Sequence, residues 1–251
     1  MKPIWIVILA VLAAGNLVGG YVLYKAFQLR GENRLLHRYL EDMADKNREL
    51  TTDYPGAAVY ADENRELLDT TDPAERKKMC VLYGASITKR WDTDRLLPGF
   101  KIIKRGVGAQ SSTQLLARFS SDVLQLEPGK VVIKICAGNF SPDADSRMIW
   151  DEFETMVLAA RARNIEPVVA TIIPVTRRAE TFEGYSITEQ VKQFNDRARA
   201  LAEKHDLVVV DYFAATADGD GFLPDAMARD EIHPNDLGYA RMAEVFRAAM
   251  K

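Results

Sequence analysis

Four short clusters hold residue types that together could run nucleophilic acyl chemistry. A serine hydroxyl attacks an acyl carbon well only when a base takes its proton. An imidazole base in turn needs a carboxylate to fix its tautomer and stabilise its cation. In Asp230-Glu231-Ile232-His233-Pro234-Asn235 an aspartate stands three residues before a histidine, so one short turn can hold both. The chain has three histidines. His37 falls in a charged stretch and His205 at the end of a helical pattern, which leaves His233 as the one placed to act as a base. In Tyr83-Gly84-Ala85-Ser86-Ile87-Thr88, Ser86 follows an apolar run and a glycine turn and could open a helix. That position lifts its hydroxyl clear of a sheet and aims helix amides at an oxyanion beside it. The plainer role for such a serine is a helix N-cap. In Arg105-Gly106-Val107-Gly108-Ala109-Gln110-Ser111-Ser112 the small residues let the backbone approach a ligand closely, although a dinucleotide loop would need a third glycine. In Ala137-Gly138-Asn139-Phe140-Ser141, Asn139 can donate its side-chain amide to an oxyanion or simply cap the next turn.

The elements that must position these clusters alternate from about residue 58 onward. Apolar runs at Met79–Tyr83, 101–104, 130–137, 167–173 and 207–211 read as strands. Helical spacing marks 113–126, with Leu115, Leu116, Phe119, Val123 and Leu126 on one stripe, and then 150–163, 188–205 and 236–250. Strands separated by helices predict a parallel sheet covered on both faces, with ligands beyond the carboxyl ends of the strands. Three of the four clusters fall just after predicted strands. A charged loop between Ile173 and Ile187 carries Arg177, Arg178, Glu180 and Glu183 and could rim a pocket or simply be solvated.

Composition narrows the function classes. Apolar residues make up 47% of the 251, enough for a sizeable core, and the formal net charge of -3 comes without a basic block, which argues against nucleic-acid binding. The two cysteines, Cys80 and Cys136, lack any metal-ligand spacing and read as buried free thiols, so no metal is expected. No phosphate-binding loop is evident, and no organic cofactor is implied. From Pro3 to Tyr24 there is no charged residue. At ~1.5 Å per residue that run spans a hydrocarbon core of ~30 Å, and it is longer than the ~7–15 apolar residues of a signal peptide. The expectation is therefore a membrane anchor over 1–25, a juxtamembrane helix and linker over 26–57, and a catalytic domain over 58–251. Lys25, Arg30, Arg34 and Arg38 outnumber Lys2 and the terminal amine, which by charge alone puts the domain in the cytoplasm.

Residues from about 58 to 250 resemble the SGNH, or GDSL-like, hydrolases. The Asp230-Glu231-Ile232-His233-Pro234-Asn235 run with Gly238-Tyr239 is similar to the family's carboxyl-terminal signature. The Ser86 cluster with Trp91 is similar to its nucleophile motif. The run Arg105–Gln110 with Leu115, Leu116 and Arg118 is similar to its second motif. The resemblance implies a flavodoxin-like three-layer α/β/α sandwich with a parallel sheet. It implies Ser86, Asp230 and His233 as a catalytic triad, and an oxyanion hole from the Ser86 amide, the Gly108-Ala109 turn and Asn139. It implies an esterase or deacylase acting on an acetylated carbohydrate, a lipid or a short acyl ester. An acyltransferase on the same triad, or a non-catalytic binding protein on the same fold, is the alternative. Exported relatives pull the domain to the extracytoplasmic side.

Three positions depart from the family pattern. Gly-Asp-Ser is here Gly84-Ala85-Ser86, the second-motif glycine aligns with Ala109, and Gly-x-Asn-Asp becomes Ala137-Gly138-Asn139-Phe140 if Asn139 is matched to the asparagine, the preferred reading, whereas matching the glycine to Gly138 would put Phe140 in the asparagine's place.

Overall fold

Most of the strands are short apolar runs, the composition of strands buried on both faces, whereas the edge strand Ile102–Gly106 carries Lys104 and Arg105. In this computed structural model, which describes Lys25, Asp53 and residues 55–251, five of them form one parallel sheet. They are β1 (Cys80–Gly84), β2 (Ile102–Gly106), β3 (Lys130–Ile133), β4 (Glu166–Ala170) and β5 (Val209–Val210), in the order β2-β1-β3-β4-β5. That is the flavodoxin-like order, which reverses between β1 and β3 and opens a ligand crevice at their carboxyl ends. Parallel pairing sets Tyr83 beside both Arg105 and Ile133, so the loops after β1, β2 and β3 emerge together.

Alternation along each strand builds the layers. Val81 and Tyr83 of β1 point into a core with Phe119, Phe153, Val191 and Phe194. Cys80 and Leu82 point the other way, toward Ile87, Trp91, Met242 and Phe246. The first layer holds α3 (Ser112–Phe119), α4 (Ser146–Ala162) and α5 (Ile187–His205), whereas α2 (Ser86–Arg90) and α6 (Asp236–Ala249) pack in the second. Polar side chains cap the starts of all of these helices except α2, which follows Ala85. Ser111 and Gln114 make a capping box on α3, and the side-chain Oδ1 of Asn235 accepts from the amides of Leu237 and Gly238 at the start of α6. Cys80 and Cys136 are both buried and free.

Several elements differ from their sequence-based outlines. The stripe over 113–126 is not one α-helix: α3 ends at Phe119 and the chain widens into a π turn over Ser120–Leu124, which carries the buried Asp122. The strand expected over 130–137 shrinks to β3, because the residues beyond Ile133 turn into the loop at the crevice, and the one expected over 207–211 shrinks to β5. Before β1, a 3-10 turn over Ala57–Tyr60 leads into α1 (Ala61–Thr70), whose mostly polar sequence gave no apolar stripe to find. The expected membrane helix and juxtamembrane helix lie outside the described residues. Among the described residues, no helix is long and apolar enough to cross a membrane.

Candidate active site

Gly84 ends β1 and turns the chain into α2, which Ser86 opens. A Cβ on Gly84 would lie 2.6 Å from the Thr88 hydroxyl and 2.9 Å from the Lys134 carbonyl, so the turn is closed to any larger residue. Ala85 is buried in the second core layer, where the family aspartate would meet apolar neighbours. The loop before α6 brings up the histidine. Arg229 N–H donates to the His233 carbonyl at 2.9 Å, and Ala228 bridges Pro234, so the turn between them is tight. Inside it, Asp230 Oδ1 accepts from the Ile232 amide at 3.1 Å and the His233 amide at 2.9 Å.

The side chains meet across 147 residues of sequence. Ser86 Oγ is 2.9 Å from His233 Nε2. His233 Nδ1 is 2.8 and 2.9 Å from the two Asp230 carboxylate oxygens. A carboxylate only accepts, so the proton sits on Nδ1 and the Nε2 lone pair faces the Ser86 hydroxyl. Asp230 is held below the usual carboxylate range: partial burial pushes it up, but the Ile232 amide, the His233 ring and the His233 amide outweigh that by hydrogen bonding to the ionised form. The two halves are also tied by Tyr239 of α6, whose hydroxyl donates to the Ile87 carbonyl of α2 at 3.0 Å.

Ser86 and His233 open onto a cleft of about 570 Å³, lined also by Gly108, Ala109, Asn139 and Ile232. Ala109 has φ +59°, the left-handed conformation a glycine would adopt freely. Ala109 thus takes the backbone shape that a glycine at this position would take. Asn139 Oδ1 accepts from the Ser112 amide at 2.7 Å, and its Nδ2 donates to the Cys136 carbonyl at 3.2 Å. A backbone N–H can only donate and a carbonyl only accept, so these contacts fix which end of the amide is which. One Nδ2 hydrogen remains beyond the Cys136 bond. Phe140 turns away from the cleft into the first core layer, edge-on to Phe194 at 6.0 Å between centroids.

The site rests on a buried ionic brace centred on Arg118, a residue the motif match included without giving it a role. Arg118 is fully buried yet every part of its guanidinium is engaged. Its Nε donates to Gln110 Oε1 at 2.6 Å, its Nη1 to Asp122 Oδ2 at 2.6 Å, and its Nη2 to the carbonyls of Gly84 and Arg105 at 2.9 and 3.0 Å. One cation thereby clamps the end of β1, the end of β2 and the residue after Ala109. Asp122 accepts further from Asn64 of α1 at 2.8 Å, and Asn64 accepts from Arg105 at 2.7 Å. The signal in the sequence was an arginine and an aspartate at i,i+4 on an otherwise apolar stripe. The charged loop after Ile173 does not line the cleft. Arg177 pairs with Asp218 and Asp220, Arg178 with Asp225 at 3.0 Å, and Glu180 accepts from the first amides of α5.

No functionally curated protein matches the chain. Among solved structures it is similar to a GDSL-like lipase from Bacteroides thetaiotaomicron, at 24% identity over 79% of this chain and 98% of that one, with a TM-score of 0.70. It is similar to a lipase/acylhydrolase from Enterococcus faecalis, at 22% identity over 67% and 93%, TM-score 0.56. It is similar to an acetylxylan esterase from Geobacillus stearothermophilus, at 17% identity over 69% and 94%, TM-score 0.59. The profile of the GDSL-like Lipase/Acylhydrolase family matches residues 82–241, a span from β1 to within α6 that takes in all four clusters, and the chain belongs to that family.

Proposed function

We propose that the protein is a carboxylic-ester hydrolase in which Ser86 is the nucleophile, His233 the general base and acid, and Asp230 the residue that orients it. The observation that carries this is the unbroken line of contacts from Ser86 Oγ to His233 Nε2 and from His233 Nδ1 to Asp230. His233 takes the Ser86 proton as Oγ bonds to the ester carbon. The carbonyl oxygen becomes an oxyanion, facing the amides of Ser86 and of the Gly108-Ala109 turn and the remaining Asn139 Nδ2 hydrogen. The intermediate collapses, the alcohol leaves with the proton from His233, and the acyl group stays on Ser86. Water, deprotonated by the same imidazole, attacks the acyl-enzyme, Ser86 regains its proton, and a carboxylic acid departs. The acetyl group of a carbohydrate is the first substrate to try. The apolar run over Pro3–Tyr24 would tether the enzyme to a membrane, with the domain on the extracytoplasmic side.

The test is hydrolysis of 4-nitrophenyl acetate by the full chain. Replacing Ser86 by Ala is expected to lower kcat by about 10⁴–10⁶-fold, the scale of losing a triad nucleophile. A Ser86→Ala protein that keeps the parent rate would remove the proposal.

A further inference from the structure

Two open clefts meet at Arg90. One is the cleft of Ser86 and His233. The other, about 530 Å³, is lined by Arg90, Arg95, Arg229, Asn235, Asp236 and Leu237. The arginines of this region fall into two sets. Arg95 pairs with Asp92 at 3.0 Å and faces Asp236 at 4.0 Å, Arg177 is held by Asp218 and Asp220, and Arg178 by Asp225 and Glu231. Among the described residues, Arg90 and Arg229 have no carboxylate within 4.0 Å and no side-chain hydrogen bond.

Unpaired surface guanidinium groups are common. These two are set apart by their attachment to the reacting residues. Arg90 follows Ser86 by four residues on α2, about 6 Å of helical rise. Arg229 is fastened to His233 through the 2.9 Å backbone bond across the turn. The two also share one neighbourhood. Burial pushes the Tyr239 hydroxyl up to about 12, and the positive charges of both Arg90 and Arg229 act on it in the opposite direction. A guanidinium is a planar fork of donors matched to carboxylate and phosphate oxygens, and an unsatisfied pair of them lining one cleft, with Arg90 shared with the cleft of the nucleophile, is suited to receive an oxyanion.

We propose that Arg90 and Arg229 form a subsite for an oxyanion carried on the alcohol half of the ester. The substrate class is then an acylated anionic alcohol, its charge a phosphate or a carboxylate. The alcohol half follows from position: Arg229 is tied to His233, which protonates the departing oxygen, whereas Ala109 and Asn139 lie on the loops after β2 and β3. This inference rests on the esterase reading above.

The experiment compares kcat/KM of the full chain on matched pairs of esters. One pair is 1-acetylglycerol 3-phosphate and 1-acetylglycerol; the other is an O-acetylated methyl galacturonoside and the corresponding galactoside. Parent, Arg90→Gln, Arg229→Gln and Arg90→Lys are assayed, with Arg147→Gln on α4 as an exposed control. The parent is expected to favour the charged member, and its preference to fall about tenfold with each glutamine, the scale of one partly solvated charged contact. Arg90→Lys should retain part of it, Arg147→Gln all of it, and added salt should reduce it. A fall confined to the phosphate pair assigns a glycerophosphate-like alcohol, one confined to the carboxylate pair an acidic sugar, and a fall in both an oxyanion of either kind. Ser86-dependent hydrolysis with a preference indifferent to both arginines overturns the subsite and leaves the esterase standing. Hydrolysis of no ester in a Ser86-dependent way overturns both.

Discussion

Ser86 lies between two regions that are held in different ways. His233 is positioned by contacts that span at most a few residues: the Asp230 carboxylate accepts two nearby amides, Arg229 reaches the His233 carbonyl, and Asn235 caps the helix that follows. The residues facing it, Gly108 to Gln110 and Asn139, are positioned from a distance. Arg118 draws together β1, β2 and Gln110, and Asn139 holds the first amide of α3, which begins 27 residues earlier than Asn139 in the chain. A short loop can be self-sufficient when its polar side chains satisfy its own backbone. A surface made from separate loops needs a shared partner, and here that partner is a buried cation. The first region should therefore fail in chemistry when altered, and the second should fail in stability as well.

Replacing Asp230 by Asn gives the largest expected effect on the first region. Asn keeps the oxygen that accepts the Ile232 and His233 amides but no longer dictates the proton on Nδ1, so kcat should fall about 10⁴-fold with folding little changed. Stopped assays beside circular dichroism would check both halves of that statement. For the second region, Arg118→Met leaves Asp122 charged and buried and strips two carbonyls of their donor. A loss of about 3–5 kcal/mol in urea unfolding is expected. The double variant Arg118→Met, Asp122→Leu should recover part of it, because the stranded charge is gone. A loss under about 1 kcal/mol in the single variant, the worth of an ordinary hydrogen bond, would contradict the brace.

Asn139 touches both descriptions. Asn139→Ala should cost about 10²–10³-fold in kcat through the missing oxyanion donor, and about 1 kcal/mol of stability through the orphaned Ser112 amide. Asn139→Asp separates the two, since it still accepts from Ser112 but cannot donate. The smallest effect is at Ala109. Exchanging Ala for Gly ordinarily costs about 0.5–1 kcal/mol, but at φ +59° the relief of left-handed strain offsets that. Ala109→Gly should leave the unfolding midpoint and kcat close to the parent's. A marked fall in either would mean that the alanine methyl itself matters.

The same division decides what could be read from the sequence. The strands, their alternation with helices and the Asp230–Asn235 turn are local patterns, and local patterns survive in one dimension. The placing of Ser86, Asn139 and the Gly108-Ala109 turn after their strands followed from the same alternation. The long stripe over 113–126 hid a π turn, because a period of 3.6 cannot register where the chain widens. Arg118 was legible as a member of the second motif but not as a clamp, since its partners Gly84, Arg105 and Gln110 come from other elements. Phe140 stood as a disruption of an asparagine motif until its ring was placed in the core beside Phe194, pointing away from the cleft. Arg90 and Arg229 carried no signal at all, because being unpaired is a property of surroundings rather than of spacing.

The most direct test of the central claim is to treat the full chain with a fluorophosphonate and locate the adduct by peptide mass spectrometry. The account predicts one phosphonylated residue, Ser86, with labelling slowed by orders of magnitude in His233→Ala. Labelling on a different serine, or labelling of Ser86 at an unchanged rate without His233, would contradict it.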